Sequence, residues 1–368
     1  MSASIEIQII AVLVAVACAL PGVFLVLRQL AMMSDAISHA ILPGIVIAFL
    51  LTEDLSSPLL ILGAAAAGVA TVALVELLRK TGLLKEDAAI GIVFPALFSV
   101  GVILIARFAG DVHLDVDAVL LGELAFAPFD RVVLGSIDVP KATLVMASIL
   151  MLNVVFIGLF FKELKLATFD SALAATLGFT PVLLHYVLMG LVSTTAVGAF
   201  DAVGSILVVA LMVAPPAAAY MLTQRLASML WMSAALGAIS AVGGYWMARW
   251  LDASIAGSMA STAGLVFLLV LAFAPERGLV SRVRQQNRQR QVFARDMLLI
   301  HLYHHEGLPE AEQECRVEHL QDHLRWERDF AMMAVRTAKR AGFVEDQEGL
   351  MKLSDSGREQ ARHALVHI

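Results

Sequence analysis

Residues 31–51 read AMMSDAISHAILPGIVIAFLL, a run long enough to cross a bilayer as a helix, which takes about 20 residues. It carries a carboxylate, Asp35, and an imidazole, His39, four residues apart. At that spacing two side chains share one helix face, with Cβ atoms about 5–6 Å apart. An Asp in the hydrocarbon costs on the order of 3 kcal/mol even on the lenient insertion scale, so an intramembrane pair of this kind marks a functional site by default. The alternative is a structural hydrogen-bonded pair between helices. A carboxylate with an imidazole suits Mn2+, Fe2+ or Zn2+ and is less suited to soft Cu(I). One helix offers too few donors, whereas two copies facing each other across a two-fold axis supply two Asp and two His.

The rest of the chain has the same apolar character. Its 368 residues are 59% hydrophobic and 16% charged, with mean hydropathy +0.81, where a soluble protein is about half apolar and a quarter charged. Eight further stretches qualify or nearly qualify as spans: 7–27, 58–78, 88–109, 143–161, 182–200, 203–222, 229–250 and 256–274. The polar break at Asp201 leaves the count at eight or nine crossings. A cleaved secretory leader is not expected, because no Lys or Arg precedes Arg28 and the first apolar run reads as a true span. Cys18 lies in that span and Cys315 in the polar tail, so no structural disulfide joins them. If all nine segments cross and the tail is cytoplasmic, seven basic residues fall in inside loops (Arg28, Arg79, Lys80, Lys85, Lys162, Lys165, Arg225) and four outside (Arg107, Arg131, Lys141, Arg249). That bias follows the positive-inside rule.

Helix disruptors at Pro21-Gly22, Pro43-Gly44, Pro95 and Pro215-Pro216 free backbone carbonyls, which are tolerated at membrane depth where protein or a water-filled cavity re-satisfies them. A body that lines a pathway and ordinary helix kinking both fit. Gly63 to Gly68 is a small-residue face for close helix packing. Between Asp111 and Lys141 six acidic residues face only Arg131 and Lys141. On the outer side such a loop gathers cations, and Asp111, His113, Asp115 and Asp117 are its candidate ligands; a solvated acidic loop is the plainer reading.

Residues 277–368 hold 29 of the 58 Lys, Arg, Asp and Glu and read as a water-soluble appendage. Residues 281–291 (SRVRQQNRQRQ) form a basic linker or helix start that can sit on anionic lipid. From 292 to 368, three amphipathic helical stretches, a hairpin around Asp346 to Gly349 and a last helix are expected. The predicted architecture is therefore an all-α polytopic membrane domain over 1–280, the linker, and a small cytoplasmic α+β winged-helix-like domain over 292–368. Seven of the ten histidines lie in the tail, and Cys315, Glu318 and His319 form a candidate regulatory metal group.

The stretches MSDAISHAILPGIVIAFLL, GAFDAVGSILVVALMVAPPAAAYML and FKELKLATFDSALAATLG closely resemble permease subunits of ABC importers for divalent metals, the zinc, manganese and iron(II) uptake family, over roughly residues 5–280. That resemblance implies two permease copies around one pathway and two separate cytoplasmic ATPases. It also implies an extracytoplasmic metal-binding protein and placement in a bacterial plasma membrane. It puts the pore ligands at Asp35 and His39, and the ATPase-coupling helix at Phe169, Asp170, Ser171, Ala172, Leu173 through Gly178. The transported ion is Mn2+, Zn2+ or Fe2+, with no permanently bound cofactor. The residues agree independently: no Lys follows a Gly, so the phosphate-cradling G-x-x-x-x-G-K-[ST] loop is missing and this chain is not itself the ATPase. A charge introduced at Ala174 is expected to uncouple the ATPase. The tail resembles the N-terminal domain of iron-dependent-repressor-type metalloregulators. With a tail net charge near +1 DNA is not expected as its partner, and docking onto the ATPase or the permease dimer is. Two other functions remain open at this point: a proton-coupled secondary metal transporter using Asp35 and His39, and a membrane-tethered metal-responsive transcriptional regulator.

Overall fold

The computed structural model describes residues 3–53, 57, 59–108, 124–134, 137–316, 326–347 and 349–367. Asp111, His113, Asp115 and Asp117, and with them Glu318 and His319, lie outside the described residues. The chain divides into two compact units, Met1–Arg277 and Gly278–Ile368.

Unit 1 is helical. Its elements are α1 (Ala3–Leu27), α2 (Ala31–Ala40), α3 (Leu42–Thr52), α4 (Leu59–Lys80), α5 (Glu86–Phe108), the hairpin β1 (Arg131–Leu134) and β2 (Ile137–Pro140), α6 (Lys141–Leu159), α7 (Phe161–Phe169), α8 (Ser171–Thr176), α9 (Pro181–Val203), α10 (Ser205–Leu222), α11 (Leu226–Leu251) and α12 (Ile255–Phe273). Counting α2 and α3 as one segment, Ala31–Thr52, nine segments among the described residues are long and apolar enough to cross a membrane. The break near Asp201 separates two of them at Gly204, whose φ of +79° is a backbone state that glycine adopts without strain.

α1 is the central post. It packs against α6, α9, α10 and α11, and Ile10, Val14, Cys18, Phe24 and Leu25 along it are fully buried. Its apolar character is nearly uniform because it has protein on most sides. α2 to α5 and α9 form a second group: α3 lies on α4, and α2 lies on α4, α5, α9 and α10. Gly44 and Gly63 set the α3–α4 contact, since a Cβ on either would run into the other's carbonyl. Between apolar helices in lipid, such close van der Waals approach replaces the hydrophobic drive available in water.

Pro21 has no N–H to return to the Ala17 carbonyl. Asn153 on α6 supplies the missing donor. Its Nδ2 donates to that carbonyl at 2.9 Å and to Thr195 Oγ1 on α9 at 3.1 Å, and Asn153 and Thr195 are fully buried. A single side chain thus repairs the helix defect and ties three helices together.

At one end of the bundle, β1 and β2 pair antiparallel, Arg131 opposite Pro140. Arg131 binds Glu6 of α1 at 3.0 Å and Asp138 at 2.9 Å, and Lys141 lies 3.7 Å from Asp130. The two carboxylates hold the Arg131 guanidinium above its usual pKa. The described part of the acidic segment is therefore charge-compensated.

Unit 2 comprises α13 (Leu279–His305), α14 (Ala311–Glu314), α15 (Arg328–Arg340), β3 (Val344–Gln347), β4 (Leu350–Leu353) and α16 (Asp355–His367). Residues 281–291 form the first turns of α13. The core joins Ala294, Leu298 and Leu302 of α13 to Ala331, Ala334, Val335 and Ala338 of α15, with Val344, Met351, Leu353 and Ala361. β3 and β4 pair antiparallel, and Lys339 pairs with Asp346 at the hairpin.

Asn153→Leu should destabilise unit 1 by about 1–3 kcal/mol, because a buried carbonyl loses its donor. In a Pro21→Ala background the helix recovers its own N–H at that position, so the same substitution should cost clearly less. Thermal unfolding of the four proteins in detergent measures the coupling, and strictly additive effects would show that Asn153 does not serve the Pro21 defect.

Candidate functional site

On α2, Met33, Ser34, Ala36, Ile37, Ser38 and Ala40 are buried against neighbouring helices, while Met32, Asp35 and His39 make a stripe the chain itself leaves open. The buried face explains the fold of the segment: Ile37 is fully enclosed, and the Ser34 and Ser38 hydroxyls donate back to the carbonyls of Ala31 and Ser34. Those serines are packing groups. His39 Nε2 stands 3.5 Å from Asp35 Oδ1, with side chains 30% and 43% exposed. The imidazole lies against two rings of α5, Phe94 at 5.9 Å and Phe98 edge-on at 6.4 Å between centroids. Aromatic walls on one side leave the ring's polar edge directed to its Asp partner. Pro43 sits in the first turn of α3, just past the end of α2 at Ala40, where its missing N–H costs no helix bond. Together Asp35 and His39 offer a carboxylate and an imidazole, part of a donor set for a borderline divalent ion.

A second polar cluster sits where α1 turns into α2. Gln29 takes a left-handed φ of +61°, a conformation costing roughly 1–2 kcal/mol for a non-glycine residue. Arg28 beside it donates from Nε to Thr168 Oγ1 on α7 at 3.2 Å and places Nη1 3.3 Å from His185 Nδ1 on α9. Burial pulls this guanidinium below its usual pKa. Next to His185, the Tyr186 hydroxyl donates to Glu76 on α4, with Lys80 3.7 Å from the same carboxylate. Sequence reading counts Arg28 only as a loop charge and passes over Glu76, His185 and Tyr186. No local pattern links residues 28, 168 and 185; only the packed bundle does.

The α7–α8 segment leads out of this cluster. Asp170 caps α8 through a 2.9 Å bond from Leu173 N to its Oδ1, the usual role of Asp at this position. Gly178 ends the turn at φ +86°. Phe169, Leu173 and Leu177 are 62%, 46% and 61% exposed, and Ser171 and Ala172 are exposed beside them. Ala174, by contrast, is fully buried. A charge there would attack the seat of the helix and not its outer face, so the expectation attached to Ala174 passes to Leu173.

In unit 2, Cys315 is buried, and that burial, with Glu314 and Glu306 nearby, raises its thiol pKa. Its expected companions Glu318 and His319 lie outside the described residues.

The sequence model of the ABC 3 transport family matches residues 4–274. The zinc transport system membrane protein TroD of Treponema pallidum (strain Nichols) is 46% identical over 362 residues, covering 98% of this chain and 99% of that protein. The manganese transport system membrane protein MntD of Bacillus subtilis (strain 168) is 48% identical over 292 residues, covering 78% of this chain and 99% of that protein. Among solved structures, PsaBC from Streptococcus pneumoniae in complex with Fab contains a chain 29% identical to this one, with a TM-score of 0.62, covering 75% of this chain and 94% of that one.

The cap on α8 is testable by itself. Asp170→Ala should cost about 1 kcal/mol of local helix stability, read as severalfold faster amide exchange at Leu173 with no change at α9. Unchanged exchange at Leu173 would show that the cap does not hold this helix.

Proposed function

The chain belongs to the ABC 3 transport family, and on that premise we propose that it conducts Zn2+ or Mn2+ across a bacterial plasma membrane through Asp35 and His39, with a second permease copy completing the pathway. It is a membrane transport subunit and not an enzyme; ATP is hydrolysed by a separate chain. Family membership replaces the proton-coupled and DNA-regulator alternatives. The relatives named above are membrane proteins of a zinc and of a manganese transport system, which favours these two ions over Fe2+.

The reading rests on one observation, the open stripe of α2. A carboxylate and an imidazole half-exposed on a membrane-spanning helix cannot face lipid without cost. Facing a second copy across a two-fold axis turns that cost into a four-donor site.

Phe169, Leu173 and Leu177 form the apolar surface that enters a cytoplasmic ATPase, and an extracytoplasmic metal-binding protein delivers the ion at the opposite face. Arg28 lies between these functions: it begins the turn into the ligand helix and holds α7, which leads directly into the docking helix. We read unit 2 as a cytoplasmic, winged-helix-like domain, from the order of α13, α15, the β3–β4 hairpin and α16, that docks on protein.

Asp35→Asn and His39→Ala should each abolish metal uptake by cells while leaving membrane insertion intact; uptake at the parent rate in either would remove the site. In a tandem-fused pair, Asp35→Ala in one half should eliminate most transport, since three ligands then serve one shared site. Half the parental activity would mean that each copy carries its own ion. Leu173→Glu should prevent co-purification of the ATPase without altering metal binding, and retained co-purification would move the docking surface elsewhere.

A further inference from the structure

Unit 2 holds, among the described residues, one group of three side chains suited to a metal ion, and it shares no residue with those discussed for transport. His301 and His305 are four residues apart on α13, and Glu314 ends α14 after the turn that begins at Glu306. One ligand atom from each residue falls within 4.8 Å of the other two. The two imidazole rings stand 4.6 Å apart between centroids. His301 is only 8% exposed, and its Nε2 sits 3.2 Å from the Glu314 backbone carbonyl. That contact ties α14 to α13 and orients the ring, the kind of support that fixes a metal-binding imidazole.

We propose that His301, His305 and Glu314 form a divalent-metal site of the Zn2+ class in unit 2. Two imidazoles and one carboxylate make a three-donor set that leaves a coordination position open. Such a site exchanges its ion more readily than a closed four-ligand structural site, which suits a domain that reports on metal. The set shares no residue with the Cys315, Glu318 and His319 group read from the sequence, because the helical spacing and the fold-back of α14 select different side chains. Glu306, at the start of the connecting turn, is held by Arg358 at 2.7 Å, which fixes the end of α13 beside the group.

The match to MntD adds an independent point. Its 292 aligned residues account for 99% of that protein, so a family member exists without a counterpart to most of unit 2. The tail therefore adds a property to the permease body, and a metal site that samples the cytoplasm is consistent with such an addition. This proposal does not depend on Asp35 and His39 forming the pathway.

The test uses the full chain in detergent, with Asp35→Ala and His39→Ala both present so that pathway binding is removed, and Zn2+ alone as the probe in equilibrium dialysis with elemental analysis. This parent should bind an ion that His305→Gln and Glu314→Gln, added singly, each weaken by about tenfold or more. His304→Gln, an exposed neighbour on the same helix, should leave the affinity unchanged. His301 is left intact because it is part of the core, and melting with chelator present should be the same for all variants. The proposal is overturned if the parent binds no such ion, if His305→Gln and Glu314→Gln bind as the parent does, or if His304→Gln weakens binding equally, which would show diffuse histidine binding.

Discussion

A peptide carbonyl inside hydrocarbon has no water to turn to, so each one a proline frees must find a donor or line a wet space. This constraint organises unit 1. Pro21 opens the Ala17 carbonyl, and Asn153 closes it while joining α1, α6 and α9. Pro43 instead falls in the first turn of α3, where a helix has no N–H bond to lose. The first defect is repaired inside the bundle and stabilises it, whereas the second marks the break between α2 and α3. The same residue type thus acts differently in the two places, and its position in the helix decides which.

The open stripe of α2 depends in turn on close packing elsewhere. Gly44 and Gly63 let α3 meet α4 backbone to backbone, and Gly68 admits Ser193 of α9 and Ile37 of α2. With Ile37 and Met33 enclosed, a helix of 3.6 residues per turn has only one direction left for Asp35 and His39. Small residues on α4 therefore help set the direction of Asp35 and His39. At the Arg28 end the same helix begins from a strained turn at Gln29 and from a guanidinium bonded to α7 and α9. A tilt of α7 would be felt at the first residues of α2.

The sequence shows the spans clearly because apolar length is a local property. It also shows Asp35 and His39, since charge in an apolar run is rare and i, i+4 spacing needs no tertiary knowledge. Asn153 reads as one polar residue in an ordinary span, and nothing within ten residues says that it answers Pro21 more than a hundred positions earlier. Arg28 reads as a loop charge for the same reason. Ala174 fails differently: in a helix of six residues, Ser171–Thr176, composition cannot say which side seats against the bundle. His301 and His305 share a face by spacing, but Glu314 joins them only because the turn after Glu306 brings α14 back.

The division of charge along the chain follows from these demands. On the membrane-spanning helices three carboxylates stand against a partner: Glu6 with Arg131, Glu76 with Tyr186, Asp35 with His39. The first two pairs are closed within one chain, and neither leaves a donor stripe open. Asp35 and His39 are closed only against each other, at 3.5 Å, with both side chains still accessible. A pair left so incompletely satisfied is a poor structural element, because its desolvation is only partly recovered. Under the proposed function the same incompleteness would suit a transient ligand set, since no full cage would have to be dismantled for an ion to leave.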